Sequence, residues 1–301
     1  MDRLRAEAPV LAQPGQRQEW GASRLPPESY FVVSAIFHYL GPAFAVLLFA
    51  RLEPLGVAWL RIVSAAAIFA LWRRPWRAFS RLDRDGRRLL VGWGVVLAVM
   101  NSTFYLAIDR LPLGTVAAIE FVPVVALAAR GARSGRNWSA LALGVLGVYL
   151  LTDIRLAGEP LGFLFAFVNA GLFALYIVLG HRVARQGAAS GIDGLAIAML
   201  VAALAATPIG AWFAVPRLGD LTIAFAGIGV GVTSSVIPYA TDQLAMSRVK
   251  RSTYALLVSL LPATATVVGV LVLAQIPTLP EVAGVGLVMA AVALHRDTDG
   301  R

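Results

Sequence analysis

Long, mostly apolar stretches alternate with short polar segments along nearly the whole chain. An α-helix needs about 20 mostly apolar residues to cross the hydrocarbon core of a bilayer, and stretches close to this length recur between residues 30 and 294. Turn-forming pairs such as Glu53-Pro54 and Leu111-Pro112 separate them. The pattern predicts an all-α membrane protein with ten transmembrane helices. We place these spans at residues 30–50, 56–73, 88–108, 113–131, 138–154, 159–180, 190–214, 220–244, 252–273 and 279–294.

Composition narrows the classes of protein that fit this pattern. Of the 301 residues, 58% are hydrophobic and only 14% are charged, whereas a soluble domain carries about 25% charged residues. The chain has no cysteine, so it forms neither a disulfide framework nor a thiolate metal site. The net charge of +9 would suit nucleic acid, but the charges fall in short loops between apolar spans. We therefore expect the lipid bilayer as a partner, and no nucleic acid.

The basic residues are distributed unequally between the two sets of loops. One set, together with the C-terminal tail, carries 17 arginine and lysine residues, and the alternate set carries 4. Because loops rich in basic residues stay in the cytoplasm, both termini are predicted to be cytoplasmic. Residues 1–29 are polar and contain four prolines, which predicts a disordered tail and not a cleaved signal. Residues 295–301 form a second, short tail.

The two halves of the chain resemble each other. Residues 107–115 (AIDRLPLGT) are similar to residues 245–253 (AMSRVKRST), at an offset of 138, and residues 56–62 (GVAWLRI) to residues 191–197 (GIDGLAI), at an offset of 135. This offset equals five spans, and because five is odd, the second copy enters the membrane from the opposite side. The pattern predicts two inverted five-helix repeats, residues 30–154 and 159–294. Such repeats are typical of transporters, which bind substrate near the midplane between the halves.

Glu120 is the single charged residue within the apolar stretch Leu113–Ala129. A charge at the centre of a membrane span costs several kcal/mol, and such residues usually mark substrate, ion or proton pathways. The structural alternative is a protonated carboxyl at a helix contact. Arg61 and Glu120 lie about 8 and 10 Å below the outer ends of their spans. The two side chains therefore either pair, or Arg61 contacts substrate, or Arg61 extends to the outer headgroups.

Neutral polar residues at similar depths complete the predicted binding site. Pro238 frees the backbone carbonyl near Ser234, while each serine has the alternative of bonding its own helix. His38 is either a proton relay or a neutral histidine bonded between helices. Metalloprotease, serine-hydrolase and paired-aspartate signatures are absent from the sequence, and no metal site or cofactor is expected. The candidates besides Glu120 and Arg61 are His38, Asn101, Tyr105, Asn169, Ser234, Ser235, Tyr239 and Ser259.

Four stretches carry a resemblance to a known family: residues 56–62 (GVAWLRI), 100–108 (MNSTFYLAI), 111–121 (LPLGTVAAIEF) and 237–239 (IPY). They resemble the EamA family of the drug/metabolite transporter superfamily, in particular its threonine/homoserine exporter-like members. The resemblance implies ten helices in two inverted EamA repeats, a bacterial inner-membrane location, and efflux of small metabolites such as amino acids. The chain departs from the family at Leu261-Pro262, where a glutamate usually precedes the proline, and at Ala274-Gln275, where Gly-Glu is common.

These observations together predict a secondary-active exporter of small zwitterionic metabolites, above all amino acids, that works by alternating access. Glu120 would bind a coupling proton or the substrate ammonium, and Arg61 would balance that charge or bind a carboxylate. Within transport, the rival hypothesis is a permease for another metabolite or drug, or an importer. From other classes, the rivals are a membrane-embedded enzyme and a sensor, which the missing catalytic residues and the missing soluble domain argue against. The sequence predicts no particular oligomeric state.

Overall fold

The computed structural model describes residues 27–131, 135–153, 159–185, 191–239, 241 and 260–294. The predicted tails lie outside these residues except at 27–29, which already belong to the first helix. The regular structure of the described residues is helical. The α-helices are α1 (Pro27–Leu48), α2 (Pro54–Arg73), α3 (Pro75–Ser80), α4 (Arg84–Ile108), α5 (Leu113–Gly131), α6 (Gly135–Asp153), α7 (Pro160–Arg185), α8 (Gly191–Ala214), α9 (Leu221–Gly231), α10 (Leu261–Leu273) and α11 (Leu279–Leu294).

Prolines and short acidic side chains set the ends of these helices. Pro27 begins α1 three residues before the predicted span, because a proline in the first turn loses no helical hydrogen bond. Asp83 begins α4 by accepting a hydrogen bond from the backbone N–H of Gly86 at 2.8 Å, which starts this helix four residues earlier than predicted. Asp220 caps α9 in the same way through Thr222, and this hydrogen bond lowers the pKa of the Asp220 carboxyl.

Among the described residues, six helices are long and apolar enough to cross a membrane, and three further apolar helices are shorter. This makes the chain a multi-pass membrane protein. Each predicted span overlaps a helix of the structure, but the count of ten spans in two repeats remains a prediction. The six long segments are Ser29–Leu48, Pro54–Arg73, Arg84–Ile108, Pro160–Gly180, Ile192–Arg217 and Leu221–Tyr239, and the shorter ones are Leu113–Pro123, Leu261–Leu273 and Leu279–Leu294.

The helices pack in an arrangement that repeatedly joins the first half of the chain to the second. α2 packs along α8, α5 along α10, and α6 along α11, while α4 lies against α7 and α8. In the first three pairs, the second helix corresponds to the predicted span five positions after the span of the first helix. The core is built from buried side chains such as Tyr39, Tyr105 and Phe163, whereas many apolar side chains, Leu271 and Trp212 among them, face outward. Outward apolar side chains suit a lipid environment.

Small residues let some of these helices approach to backbone contact. A Cβ atom added at Gly147 of α6 would lie 2.7 Å from the Gly284 carbonyl oxygen of α11, and one added at Gly284 would lie 2.8 Å from the Gly147 carbonyl oxygen. Gly92 and Gly286, by contrast, face open space. The α6–α11 crossing therefore depends on its two glycines, because any side chain there would push the backbones apart.

The segment between α10 and α11 connects the two halves at the ends of α5 and α10. Ala274 ends α10 in the left-handed conformation, with φ 53°, a backbone position that favours glycine. The next residue, Gln275, accepts a hydrogen bond from the backbone N–H of Leu113 at 3.0 Å. A side chain from the second half therefore satisfies one of the N–H groups that the first turn of α5 leaves unpaired.

Candidate functional site

A small cavity lies among the helices, with a volume of about 60 Å³. Its walls come from α1, α2, α4, α5 and α7, and from the segment that follows α9. Six of the predicted site residues line it. They are His38, Arg61, Asn101, Glu120, Asn169 and Tyr239, and the other lining residues are Pro42, Met100, Phe104, Phe173 and Tyr176.

Glu120 is buried in the wall formed by α5, and its partner comes from the other half of the chain. Its side chain accepts a hydrogen bond at Oε1 from Nδ2 of Asn169 on α7, at 3.1 Å. Asn169 is fully buried, and its Oδ1 atom has no hydrogen-bond partner among the described residues. The Glu120–Asn169 pair therefore offers a carboxylate and a free amide oxygen, both of which are acceptors suited to an ammonium group.

Arg61 is also buried, and it is held by the second half of the chain. Its Nε donates to the Ser235 hydroxyl at 3.1 Å, and its Nη2 donates to the backbone carbonyl of Ser234 at 3.2 Å. The guanidinium carbon lies 5.5 Å from the centre of the Tyr105 ring, within cation–π range. The guanidinium therefore lies among the helices and not at the outer headgroups.

Arg61 and Glu120 share the cavity but form no direct ion pair. The ion pairs found among the described residues are Arg73–Asp193, Arg88–Asp85 and Arg110–Asp109. Both side chains line one cavity, but the rotation of each helix gives them different hydrogen-bond partners. Each charge therefore retains capacity to bind a group of the opposite sign.

An irregular segment of helix creates the acceptor that Arg61 uses. Residues Val232–Val236 form a π-helix, a feature that often occurs at functional sites. Pro238 follows, and because proline has no N–H it cannot donate to the carbonyl four residues earlier, that of Ser234. Arg61 supplies the missing donor. Ser34 of α1 donates to the Pro238 carbonyl at 3.3 Å, which ties α1 to the same segment.

Glycines bring α1, α2 and α9 close enough for these contacts. A Cβ atom at Gly231 would lie 2.8 Å from the Arg61 carbonyl oxygen and would overlap the Ser64 hydroxyl. One at Gly41 would overlap Ser234. Because these positions lack side chains, α2 lies near enough to the π-helix for Arg61 to reach both serines.

The remaining predicted residues occupy different layers of the site. Asn101 lines the cavity and donates to the Leu97 carbonyl of its own helix at 2.7 Å. Tyr105, Ser234 and Ser235 do not line the cavity; they lie behind Arg61 and contact it. Ser259 lies outside the described residues. The site therefore consists of an inner layer that lines the cavity and an outer layer that positions Arg61.

Sequence reasoning missed several residues of the site. Met100, Phe104 and Phe173 form apolar walls, and a search for charged and hydrogen-bonding groups in apolar spans does not detect such residues. Tyr39 is also fully buried, and its hydroxyl has no hydrogen-bond partner among the described residues. Tyr39 lies next to the predicted site residue His38. These two polar side chains in the middle of the first span were the signal that could have identified Tyr39.

Comparison with known sequences gives one family and several curated relatives. The profile described as the EamA-like transporter family matches residues 160–296. The threonine/homoserine exporter RhtA of Escherichia coli (strain K12) is 32% identical over 258 residues, which cover 83% of this chain and 84% of the exporter. The exporter of the same name from Salmonella typhimurium (strain LT2) is 31% identical over the same shares of both chains.

Comparison with solved structures gives a similar fold at lower sequence identity. One crystal structure aligns with a TM-score of 0.59 and 18% sequence identity, and the alignment covers 90% of this chain and 98% of the other. At this identity the similarity shows the fold alone.

Proposed function

Because this chain belongs to the EamA-like transporter family, we propose that it exports small amino acids of the threonine and homoserine class across the bacterial inner membrane. The family relationship supports a transporter and not an enzyme. The relatives at 31–32% identity are threonine/homoserine exporters, which supports a small-metabolite substrate. The proposal that the substrate is an amino acid rests on the chemistry of the groups that line the cavity.

The observation that carries this proposal is the presence of one carboxylate and one guanidinium on the same buried cavity. An amino acid carries the complementary pair, an ammonium and a carboxylate. We assign the ammonium to Glu120 and the free Oδ1 of Asn169, and the carboxylate to Arg61. His38, Asn101 and Tyr239 would bind the remaining polar groups of the substrate, while Phe104 and Phe173 would contact its apolar part.

The small size of the cavity supports alternating access. A volume of about 60 Å³ is well below the roughly 300–1,000 Å³ of ligand-binding pockets, so binding of an amino acid would require the surrounding helices to move apart. Both hydrogen-bonded charges join the two halves, since Glu120 bonds Asn169 and Arg61 bonds Ser235. Substrate groups that replace these partners would loosen the contact between the halves.

The packing of the helices supports the proposal of two inverted repeats, residues 30–154 and 159–294. The pairs α2–α8, α5–α10 and α6–α11 each join helices five predicted spans apart, an arrangement compatible with a two-fold relation between the repeats. Residues from both proposed repeats line the cavity, and transporters built from inverted repeats bind substrate between their repeats. A proton on Glu120 is the proposed coupling ion.

Counterflow in proteoliposomes tests this function. Vesicles that contain the purified protein are loaded with unlabelled threonine or homoserine, and the uptake of labelled threonine is measured. We expect uptake above that of empty vesicles. The amine that lacks the carboxylate and the hydroxy acid that lacks the ammonium should not replace threonine, because each leaves one cavity charge unpaired. Absence of counterflow across a panel of amino acids would refute the assignment, provided that the protein is folded and inserted.

A further inference from the structure

An open groove of about 690 Å³ lies beside the N-terminal end of α4, away from the central cavity. It is lined by Leu82, Arg84, Arg87, Arg88, Val91 and Gly92. Because α4 is one of the helices long and apolar enough to cross the membrane, this end of the helix lies at the boundary between the bilayer and water. The groove has one charged end and one apolar end.

The charged end of the groove presents three exposed guanidinium groups. Arg87 is held in place, since its Nη2 donates to the Ser80 carbonyl at 2.9 Å and its guanidinium carbon lies 5.6 Å from the centre of the Phe79 ring. The N-terminal end of α4 adds a partial positive charge. Two aspartates oppose this charge, but Asp83 is the helix cap. Asp85 is 84% exposed and forms an ion pair with Arg88 at 3.8 Å, so the two aspartates offset part of the charge and the three arginines leave the groove net positive.

The apolar end of the groove continues along the surface of α4. A Cβ atom at Gly92 would meet no atom within 4 Å, so the glycine leaves a gap in the helix surface. Val91, Val95 and Val99 are exposed and follow one another at four-residue intervals, which places them on one face of the helix. This apolar strip leads from the arginines toward the middle of the membrane.

The geometry points to a binding site for one molecule of an anionic phospholipid, and we propose that this is the ligand of the groove. The phosphate would bind among Arg84, Arg87 and Arg88, the glycerol would occupy the gap at Gly92, and an acyl chain would lie along the three valines. Charge complementarity favours a lipid with a net negative headgroup over a zwitterionic one. The apolar strip favours a lipid over a free anion, because a free anion would contact the arginines alone and would leave the strip unused. This inference does not depend on the proposed transport function.

Two variants separate a lipid site from a general attraction of anions to a basic surface. In R84Q/R88Q the charge is removed and Arg87, which supports the fold, is retained. In G92L the groove is filled without a change of charge, and the open space at Gly92 means that the folded protein accepts the side chain. A charge-matched control, R182Q/R217Q, removes two exposed arginines that do not line the groove.

Native mass spectrometry of the full-length protein in detergent measures the binding, with phosphatidylglycerol and phosphatidylcholine as probes. We expect the wild type to retain phosphatidylglycerol preferentially. R84Q/R88Q should bind it about tenfold more weakly or worse, because each basic residue near a membrane contributes about a fivefold preference for anionic lipid. G92L should also weaken binding, while the control should stay within about twofold of wild type.

Three results would overturn the proposal. Equal retention of the two lipids by the wild type would show that the groove does not select a negative headgroup. Wild-type binding by G92L would show diffuse attraction to the arginines and no defined site. Complete displacement of phosphatidylglycerol by excess inorganic phosphate would show a free-anion site. Melting temperatures of all variants, measured in the same detergent, establish that each one is folded.

Discussion

Glu120 and Arg61 illustrate what a single residue reveals in a membrane sequence. A charge within an apolar span is visible in the sequence, and its cost in lipid indicates that something must bind it. The depth of each residue follows from the helical rise, and both indeed line one cavity. Their hydrogen-bond partners depend on how each helix is rotated about its own axis. An apolar span without clear periodicity does not specify this rotation. Asn169 and Ser235 were therefore found as polar residues but not as partners of these charges.

Replacement of Glu120 by glutamine should sharply reduce transport without loss of the folded protein. Glutamine keeps the shape and the hydrogen bond to Asn169, and removal of a buried charge eases insertion. The variant should therefore reach the membrane at normal levels and melt no lower than wild type. Export should fall by about tenfold or more, because hydrogen bonds to charged groups contribute roughly 1.5–3 kcal/mol.

Two measurements distinguish the roles of Glu120. If it carries the coupling proton, threonine exchange at equal pH survives while pH-driven accumulation is lost. If it binds the ammonium, both activities fail and threonine no longer raises the melting temperature. Glu281→Gln is the matched control, because Glu281 is equally buried but bonds Thr278 outside the central cavity. Wild-type export by the Glu120→Gln variant would refute both roles.

At the scale of the helix, sequence patterns located most elements but not their irregularities. Turn-forming pairs such as Glu53-Pro54 and Leu111-Pro112 indicated helix ends, whereas the cap at Asp83, which starts α4 earlier, was not predicted. The π-helix at Val232–Val236 was not predicted, because the sequence carries no local signal for it beyond Pro238, and the packing of α1 and α2 against this segment is seen only in the folded chain. The sequence indicated only that Pro238 would free a carbonyl near Ser234. Arg61 binds this carbonyl because glycines let the helices approach closely. These glycine contacts are evident only in the three-dimensional structure.

The variant Pro238→Ala tests whether the irregular segment serves transport. Alanine restores an N–H that can bond the Ser234 carbonyl and compete with Arg61. An interior proline destabilises a helix by about 3 kcal/mol, so the variant should melt at the same or a higher temperature while threonine counterflow falls severalfold. Pro208→Ala in α8 is the control, since Pro208 is also inside a helix but lies outside the segment that Arg61 binds. Equal counterflow in both variants would contradict a role for the segment.

Close contact between α6 and α11 can be tested with two substitutions on one helix. Leucine at Gly284 would collide with the Gly147 carbonyl oxygen and with Leu151, whereas leucine at Gly286 would enter open space. Overpacking of this kind costs about 1–3 kcal/mol. Gly284→Leu should therefore lower the melting temperature in detergent, and Gly286→Leu should leave it near that of wild type. Equal melting of the two variants would argue against the packing of α6 on α11.

For the whole molecule, the distribution of basic residues predicts the topology. The excess of 17 over 4 basic residues in alternate loops predicts a cytoplasmic location for both termini. A reporter fused after Arg301 should give a cytoplasmic signal, and one inserted near Arg155 should give an external signal. Detection of both reporters on the same side would contradict ten spans and the inverted repeat together.

The two charges that line the cavity belong to one half of the molecule, and this has an electrical consequence. Arg61 and ionised Glu120 cancel, the second half contributes neutral groups to the cavity lining, and a zwitterionic amino acid adds no net charge. One elementary charge that crosses a membrane exchanges about 2.3 kcal/mol per 100 mV with the potential. The loaded site would therefore reorient without electrical work unless Glu120 is protonated. A diffusion potential imposed with potassium and valinomycin should leave threonine exchange unchanged at high pH and alter its rate only where Glu120 carries its proton.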